Sequence, residues 1–529
     1  MSLLGSLLKS GLAMRRNAVM ARRDDFRAQR RVLKKLLRTA MLTEFGEKYA
    51  FRDILHAFHV KDKHIFYEEY KRRVPIFDYN RMDKEWWNRS RRGIPDVAWP
   101  GKVRYFALSS GTSEASTKHI PETIDMIRAI QKTSIRQILT LPQYDMPARL
   151  FSRGILLLGG STSLKNNGNF YEGDLSGIQA SRLPLWFRQF YKPGKKIALT
   201  PDWDKKLDEI TLHAKEWNIG YIAGVPAWVQ MLMERIITHY GVKNIHEIWP
   251  DLTVYCHGGV SFEPYRKSFE KLCGKPLIYL ETYLASEGFI AYQYRKDHDM
   301  RLVTDNGLFF EFVPFTDDNF TPDGDLVDKP EVLMIDEAVE GKDYALLLST
   351  CAGAWRYLIG DVIRFTHKSE AEIVITGRTK HFLSLCGEHL SVENMNKAVG
   401  IAGEKFNLNI KEFAVAGKPF GTMFEHEWYL GVDNITGTED PIAIRNLVDE
   451  SLKVLNDDYR TERSGPLKEV RLHVLPVSIF YRFMKKIGKE GGQNKFPRVL
   501  KKQQLELWDA FIAEHAPIAA ATPLNSPSA

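Results

Sequence analysis

Between about residues 100 and 380, short apolar runs alternate with longer stretches of helical periodicity. This alternation constrains the fold more than any other feature. The runs Ile155–Leu158, Ile219–Ala223, Thr253–Cys256, Leu277–Leu280 and Ala345–Ser349 are too short for buried helices and have the length of buried strands. Strands separated by helices imply α/β layering, with some antiparallel strands expected around 300–375. Residues 1 to about 90 read as helical, apolar on one face and rich in Arg and Lys on the other. Near residue 377 the texture changes at GRTKHFLSLCGEHLS, a polar turn that opens a further α+β stretch. The segment from Pro517 onward, rich in Pro, Ala and Ser, reads as a frayed tail.

Composition narrows the function classes. Lys and Arg number 74 against 66 Asp and Glu, a formal charge of +8 over 529 residues, with acidic clusters such as Asp323–Asp328 among the basic residues. A nucleic-acid surface needs a single-sign face that this mixture does not build. The cysteines at 256, 273, 351 and 386 form no C-x-x-C pair and have no histidine at zinc spacing, so a reducing compartment is expected. No apolar run approaches the roughly 18 residues of a membrane span. The opening MSLLGSLLKSGLAMRR puts its basic residues after the apolar stretch, the wrong order for a signal peptide. Leu3, Leu4, Leu7 and Leu8 fall at helical spacing, which suits an amphipathic helix packed on the body. These features predict a cytoplasmic protein with no membrane or nucleic-acid partner, and a monomer is the default.

Four segments carry chemistry. Phe106-Ala-Leu leads into Ser109, Ser110, Gly111, Thr112 and Ser113, where four hydroxyls and a glycine can wrap phosphate oxygens, with Lys118 following. The Walker spacing is absent, and a plain Ser/Thr-rich turn would read the same way. His257-Gly258-Gly259-Val260 lets backbone approach a flat ring, or simply makes a turn. In Glu281-Thr282-Tyr283-Leu-Ala-Ser286-Glu287, Tyr283 can stack on a purine and Ser286 can bond a phosphate, while Glu287 offers hard oxygens to Mg²⁺. A helix N-terminal carboxylate is the alternative for Glu287. In Trp355-Arg356-Tyr357-Leu-Ile-Gly360-Asp361, an Asp on a turn at a strand end suits a ribose diol, or only starts the turn.

Each segment alone is weak, but their order is informative. A hydroxyl-rich turn, Gly-Gly, Y-x-x-[ST]-E, Y-x-x-G-D and then G-R-x-[DK] is the motif order of adenylate-forming enzymes. Over nearly its whole length the chain resembles the acyl-acid amido synthetases of the auxin-responsive Gretchen Hagen family, as a bacterial member. The strongest marks are SSGTS-x6-IP at 109–121, Y-x-A-S-E-G at 283–288 and R-Y-x-x-G-D at 356–361. Near the C-terminus Gln493-Asn-Lys495-Phe-Pro497-Arg498 is similar to the family's Q-x-K-x-P-R stretch. Two positions depart from the pattern: Ala115 stands where a glycine is usual, and Trp355 where a tyrosine is usual.

The resemblance implies an adenylate-forming α/β fold. A large N-terminal domain of mixed sheets layered with helices would span 1–377, a hinge 378–381, a small mobile α+β domain 382–516 and the tail 517–529. It implies ATP and Mg²⁺, a carboxylic acid substrate and an amino acid acceptor. ATP or AMP would contact Ser109–Ser113, Gly258–Val260, Thr282, Tyr283, Ser286, Asp361 and Lys380. Glu287 would be the metal ligand, and Lys495 and Glu287 the catalytic pair. Two other readings stay open: a thiol acceptor such as coenzyme A, and a nucleotide-binding protein without turnover. His119, His257, His381 and His389 lie near motifs, but none is assigned a catalytic role. Trp186, Phe187, Tyr221 and Trp228 are candidates for an apolar acyl pocket.

Overall fold

The computed structural model describes Ser10 and residues 24–109, 118–144, 146–259, 262–321, 324–379, 383, 385, 388, 390–420, 423–464, 467–489 and 496–515. The chain divides into two compact units. One comprises Met1–Phe262, Phe269–Phe315 and Pro330–Ile375; the other comprises Glu263–Ser268, Thr316–Lys329 and Thr376–Ala529. The N-terminal Leu3–Leu8 helix expectation and the 517–529 tail lie outside the described residues.

The first unit begins with helices, as its periodicity predicts. The longest of them, Asp25–Ala40, is capped by the Asp24 side chain, which accepts from Arg27 N, and buries Ala28, Val32, Leu33, Leu36, Leu37 and Ala40. An eleven-stranded sheet forms the body. Its parallel part runs Tyr191–Lys192, Gly154–Leu158, Ile219–Gly224, Val254–Gly258 and Ile278–Ala285. Gly288–Gln293 then turns back against Ile278–Ala285, and the sheet continues through Met300–Leu302, Glu372–Arg378, Tyr357–His367, Asp343–Thr350 and Leu308–Pro314. The antiparallel pairs around 300–375 are thus present. Leu308–Pro314 and Asp343–Thr350 are buried along almost their whole length, which accounts for their uninterrupted apolar runs. A separate four-stranded sheet is ordered Lys118–Glu122, Tyr105–Ser109, Tyr171–Gly173 and Lys165–Asn166.

In the second unit, Ile410–Phe420, Met423–Val432 and Leu467–Pro476 form a three-stranded sheet with helices on both faces. Strand alternation sorts its core. Phe413, Val415, Trp428 and Leu430 pack with Met395, Ala398, Ile444 and Val448. Ala414, Ala416 and Tyr429 point the other way, toward Phe480, Phe483, Trp508 and Phe511. No helix among the described residues is long and apolar enough to cross a membrane.

Candidate active site

The strands on either side of the hydroxyl-rich segment pair with each other. Tyr105–Ser109 runs antiparallel to Lys118–Glu122, and Ser109 stands opposite Lys118 at the open end of the pair. Ser110, Gly111, Thr112, Ser113 and Ala115 lie outside the described residues, as do Val260, Lys380, His381, His389 and Lys495. The Lys118–Glu122 strand runs directly into the helix Ile124–Ile138. The Thr123 hydroxyl caps that helix by accepting from Met126 N, and it also donates to Cys351 O at 2.6 Å.

Two motifs meet on neighbouring parallel strands. Gly258 is in register with Thr282, and a Cβ on Gly258 would stand 2.4 Å from the Thr282 carbonyl oxygen, so only glycine fits there. The Thr282 hydroxyl donates to His257 O at 2.7 Å. Gly259 follows with φ +85°. The strand Ile278–Ala285 is longer than its apolar run suggested, and it takes in Thr282 and Tyr283. Ser286 and Glu287 form the tight turn to Gly288–Gln293, so the helix N-terminal alternative for Glu287 is not what the fold provides. Both residues are buried.

The Tyr283 hydroxyl donates to the Asp361 carboxylate, joining motifs 78 residues apart. The Tyr283 ring is 6% exposed and belongs to the apolar core. Its hydroxyl reaches across to Asp361. Asp361 differs from its expected setting. It sits inside the strand Tyr357–His367, not on a turn at a strand end. Leu347 pairs with Leu358 but Ala345 with Val362, so residues 359–361 form a bulge, and Gly360 takes φ +89° there. A bulge needs the same left-handed glycine as a turn, which is why Gly-Asp reads as one in sequence.

Arg356 fixes the start of this strand. It is 4% exposed and adopts φ +43°. Its Nε donates to Glu311 at 2.9 Å, and its Nη1 to Val74 O at 2.9 Å. Glu311 also accepts from the Tyr67 hydroxyl at 3.0 Å. Trp355 is fully buried, donating from Nε1 to Ala98 O at 3.0 Å, so this departure from the family pattern serves the core.

Other candidates fall elsewhere. His119 pairs with Glu172 at 3.1 Å, and His257 stacks on Phe262 with centroids 4.6 Å apart. Trp186 is 56% exposed, so it lines no enclosed pocket. Trp228 stacks on Trp203, and Tyr221 packs beside the Leu141–Tyr144 cluster. A surface cleft of about 460 Å³ bounded by Asp24–Phe26, Ile335–Asp336 and Lys368–Ser369 contains none of the predicted site residues.

One functional candidate escaped the sequence reading. Glu122 is fully buried, and among the described residues neither of its carboxylate oxygens has a hydrogen-bond partner. Burial, together with the charge of Glu287, pushes its carboxyl well above the usual carboxylate range. Orphaned hard oxygens near a second carboxylate are donors that fit a divalent cation. The only sequence signal was an acid in the otherwise apolar run Ile120-Pro-Glu122.

Comparison with known proteins matches three consecutive regions to one family. Residues 16–146 and 161–278 match the GH3 family N-terminal domain, 301–378 the GH3 family central domain and 393–504 the GH3 family C-terminal domain. The indole-3-acetic acid-amido synthetase GH3.2 of Arabidopsis thaliana is 26% identical over 171 residues, 31% of each chain. The jasmonoyl-L-amino acid synthetase JAR4 of Nicotiana attenuata is 28% identical over 178 residues, 32% of this chain and 29% of the relative. The chain thus spans about a third of the length of the curated relatives it matches. Among solved structures, a GH3.15 acyl acid amido synthetase aligns with a TM-score of 0.72 at 16% identity, over 92% of this chain and 94% of that one. A 2-hydroxyisobutyryl-CoA ligase in the postadenylation state aligns with a TM-score of 0.57 at 11% identity, over 91% and 90%. The fold is that of the adenylate-forming ligases.

Proposed function

Because this chain belongs to the GH3 family, we propose that it is an ATP-dependent acyl-acid amido synthetase, joining a carboxylic acid to the amine of an amino acid. The observation that carries this reading is the bond from Tyr283 to Asp361. It brings the Y-x-x-S-E and G-D motifs of an adenylate site to one place.

A carboxylate is a poor electrophile, since its charge repels nucleophiles and oxide is its leaving group. Attack of a carboxylate oxygen on the α-phosphorus of ATP forms the acyl-adenylate and expels pyrophosphate. The amine then attacks the acyl carbon, AMP leaves, and the amine's proton passes to solvent. The protein's task is to position groups and neutralise charge. Ser109 and the hydroxyls through Ser113 hold phosphate oxygens, with Ser286 beside them. Asp361 accepts from the ribose diol and Tyr283 orients it. Gly258–Val260 and Thr282 frame the base. Glu287 would hold Mg²⁺, which when bound offsets charge on the leaving pyrophosphate. Lys495 contacts the α-phosphate and the attacking carboxylate. Lys380 lies in the hinge, 378–381, about which the small domain 382–516 turns between the two half-reactions.

Pyrophosphate–ATP exchange with a panel of carboxylic acids tests the reading. Exchange is expected with at least one acid. Lys495→Ala should lower it on the order of 10²- to 10³-fold while ATP binding stays within a few fold. Absence of exchange with every acid would sink the reading, and exchange with an adenylate consumed by a thiol but not by an amine would move the chain to the coenzyme A ligases.

A further inference from the structure

Glu122 closes the strand that leaves the hydroxyl-rich turn, with Tyr105 as its register partner. Ile120, Met126 and Ile127 are buried apolar neighbours in sequence, and Tyr105, opposite in register, is buried with its hydroxyl accepting from Arg182. The chain places a carboxylate there at 0% exposure, and among the described residues both oxygens lack a partner. Glu122 cannot easily swing to solvent. The next residue, Thr123, caps the following helix and is tied to Cys351 O at 2.6 Å.

The charged group that acts on Glu122 is another acid, Glu287. The two segments are packed together: Met126 Sδ, one helical turn beyond Glu122, lies 3.3 Å from where a Cβ on Gly288 would stand. Two buried carboxylates acting on each other repel unless a proton or a cation is shared between them. A hard divalent ion with oxygen ligands satisfies the open oxygens of Glu122 and offsets the repulsion between the two acids.

We propose that Glu122 is a second carboxylate ligand, beside Glu287, of the divalent cation that accompanies ATP. The proposal rests on the assignment of Glu287 as metal ligand in the synthetase reading.

The test uses the full-length protein titrated with Mn²⁺ alone, reading free Mn²⁺ by electron paramagnetic resonance. One site is expected in the wild type. Glu122→Gln keeps the size and polarity of a protonated carboxyl but cannot ligate as an anion, and it should weaken Mn²⁺ by about tenfold or more. Glu287→Gln should do the same. Glu122→Leu, which removes the buried acid without adding a polar group, should also lose the site; far-UV circular dichroism and the thermal midpoint establish that each variant is folded. A folded Glu122→Gln protein that binds Mn²⁺ as the wild type does would overturn the proposal, because that is the behaviour of a merely protonated structural residue. A wild type with no Mn²⁺ site would overturn it as well. The two readings fail separately. If no acid supports exchange, the synthetase reading falls while a Glu122-dependent Mn²⁺ site stands; normal exchange with a Glu122-independent site removes only this proposal.

Discussion

Glu311 and Glu122 are both glutamates at 0% exposure in the same unit, and they are treated in opposite ways. Glu311 accepts from Arg356 Nε at 2.9 Å and from the Tyr67 hydroxyl at 3.0 Å. The Arg356 guanidinium also donates to Val74 O and Lys71 O. That charge carries its own counter-charge and joins the N-terminal helices to the strand holding Asp361. Glu122 has a like charge nearby and no partner for either oxygen among the described residues. Asp361 is half-buried, and the neutral Tyr283 hydroxyl is among its donors. Where a buried acid is completed by protein groups, it is architecture. Where it is left incomplete, the missing charge has to come from a ligand.

The largest effect should come from breaking the completed pair. Arg356→Met leaves Glu311 buried without its cation and should cost about 3–5 kcal/mol, read as a fall in the urea midpoint of unfolding. Adding Glu311→Gln to that variant should recover part of the loss, since the uncompensated charge is gone. If the single and double variants are equally unstable, the pair acts by packing alone and the contrast with Glu122 weakens.

Tyr283→Phe removes the phenolic donor to Asp361 while leaving the ring in the core. Hydrogen bonds to charged groups contribute about 1.5–3 kcal/mol, so the KM for ATP should rise by about tenfold or more, with exchange kcat within a few fold. An unchanged KM would mean that Asp361 is oriented by its bulge and needs no hydroxyl.

Glu122→Leu is expected to raise the thermal midpoint in metal-free buffer, because an unsatisfied buried polar group costs about 1–3 kcal/mol. Glu311→Leu should lower it by stranding Arg356. Opposite signs for one kind of substitution at two equally buried glutamates would be the clearest expression of the contrast. A loss of stability at both positions would place Glu122 with the structural acids.

Much of this was legible in the chain. The apolar runs at Ile155, Ile219, Thr253 and Ala345 do mark strands, and the order of the motifs pointed to the fold. Periodicity reports which face of an element is buried, however, and not what lies opposite. The pairing of Leu467–Pro476 in parallel with Met423–Val432, and the grouping of Glu263–Ser268 and Thr316–Lys329 with the second unit, depend on contacts distant in sequence. The bulge at Gly360 was mistaken for a turn because both use a positive φ. The partners of Tyr283, Ala291 across the hairpin and Asp361 78 residues on, are likewise not shown by local sequence. Glu122 carried no motif at all, and its meaning appears only when its charged neighbour is seen to be an acid.

The smallest expected effect concerns what holds Glu122 in place. Thr123 supplies the cap of the helix Ile124–Ile138, accepting from Met126 N, and its hydroxyl also donates to Cys351 O. Thr123→Val keeps the β-branched shape and its restricted χ1, so it isolates the hydroxyl. Loss of an N-cap costs typically about 1 kcal/mol, and the thermal midpoint should fall accordingly, with Thr123→Ser restoring it. If this cap also fixes the direction of the Glu122 carboxylate, Mn²⁺ affinity should fall in the valine variant and return in the serine one. A valine variant with lowered stability but undiminished Mn²⁺ binding would show that the hydroxyl steadies the helix only, and that the strand pairing with Tyr105 is enough to aim the acid.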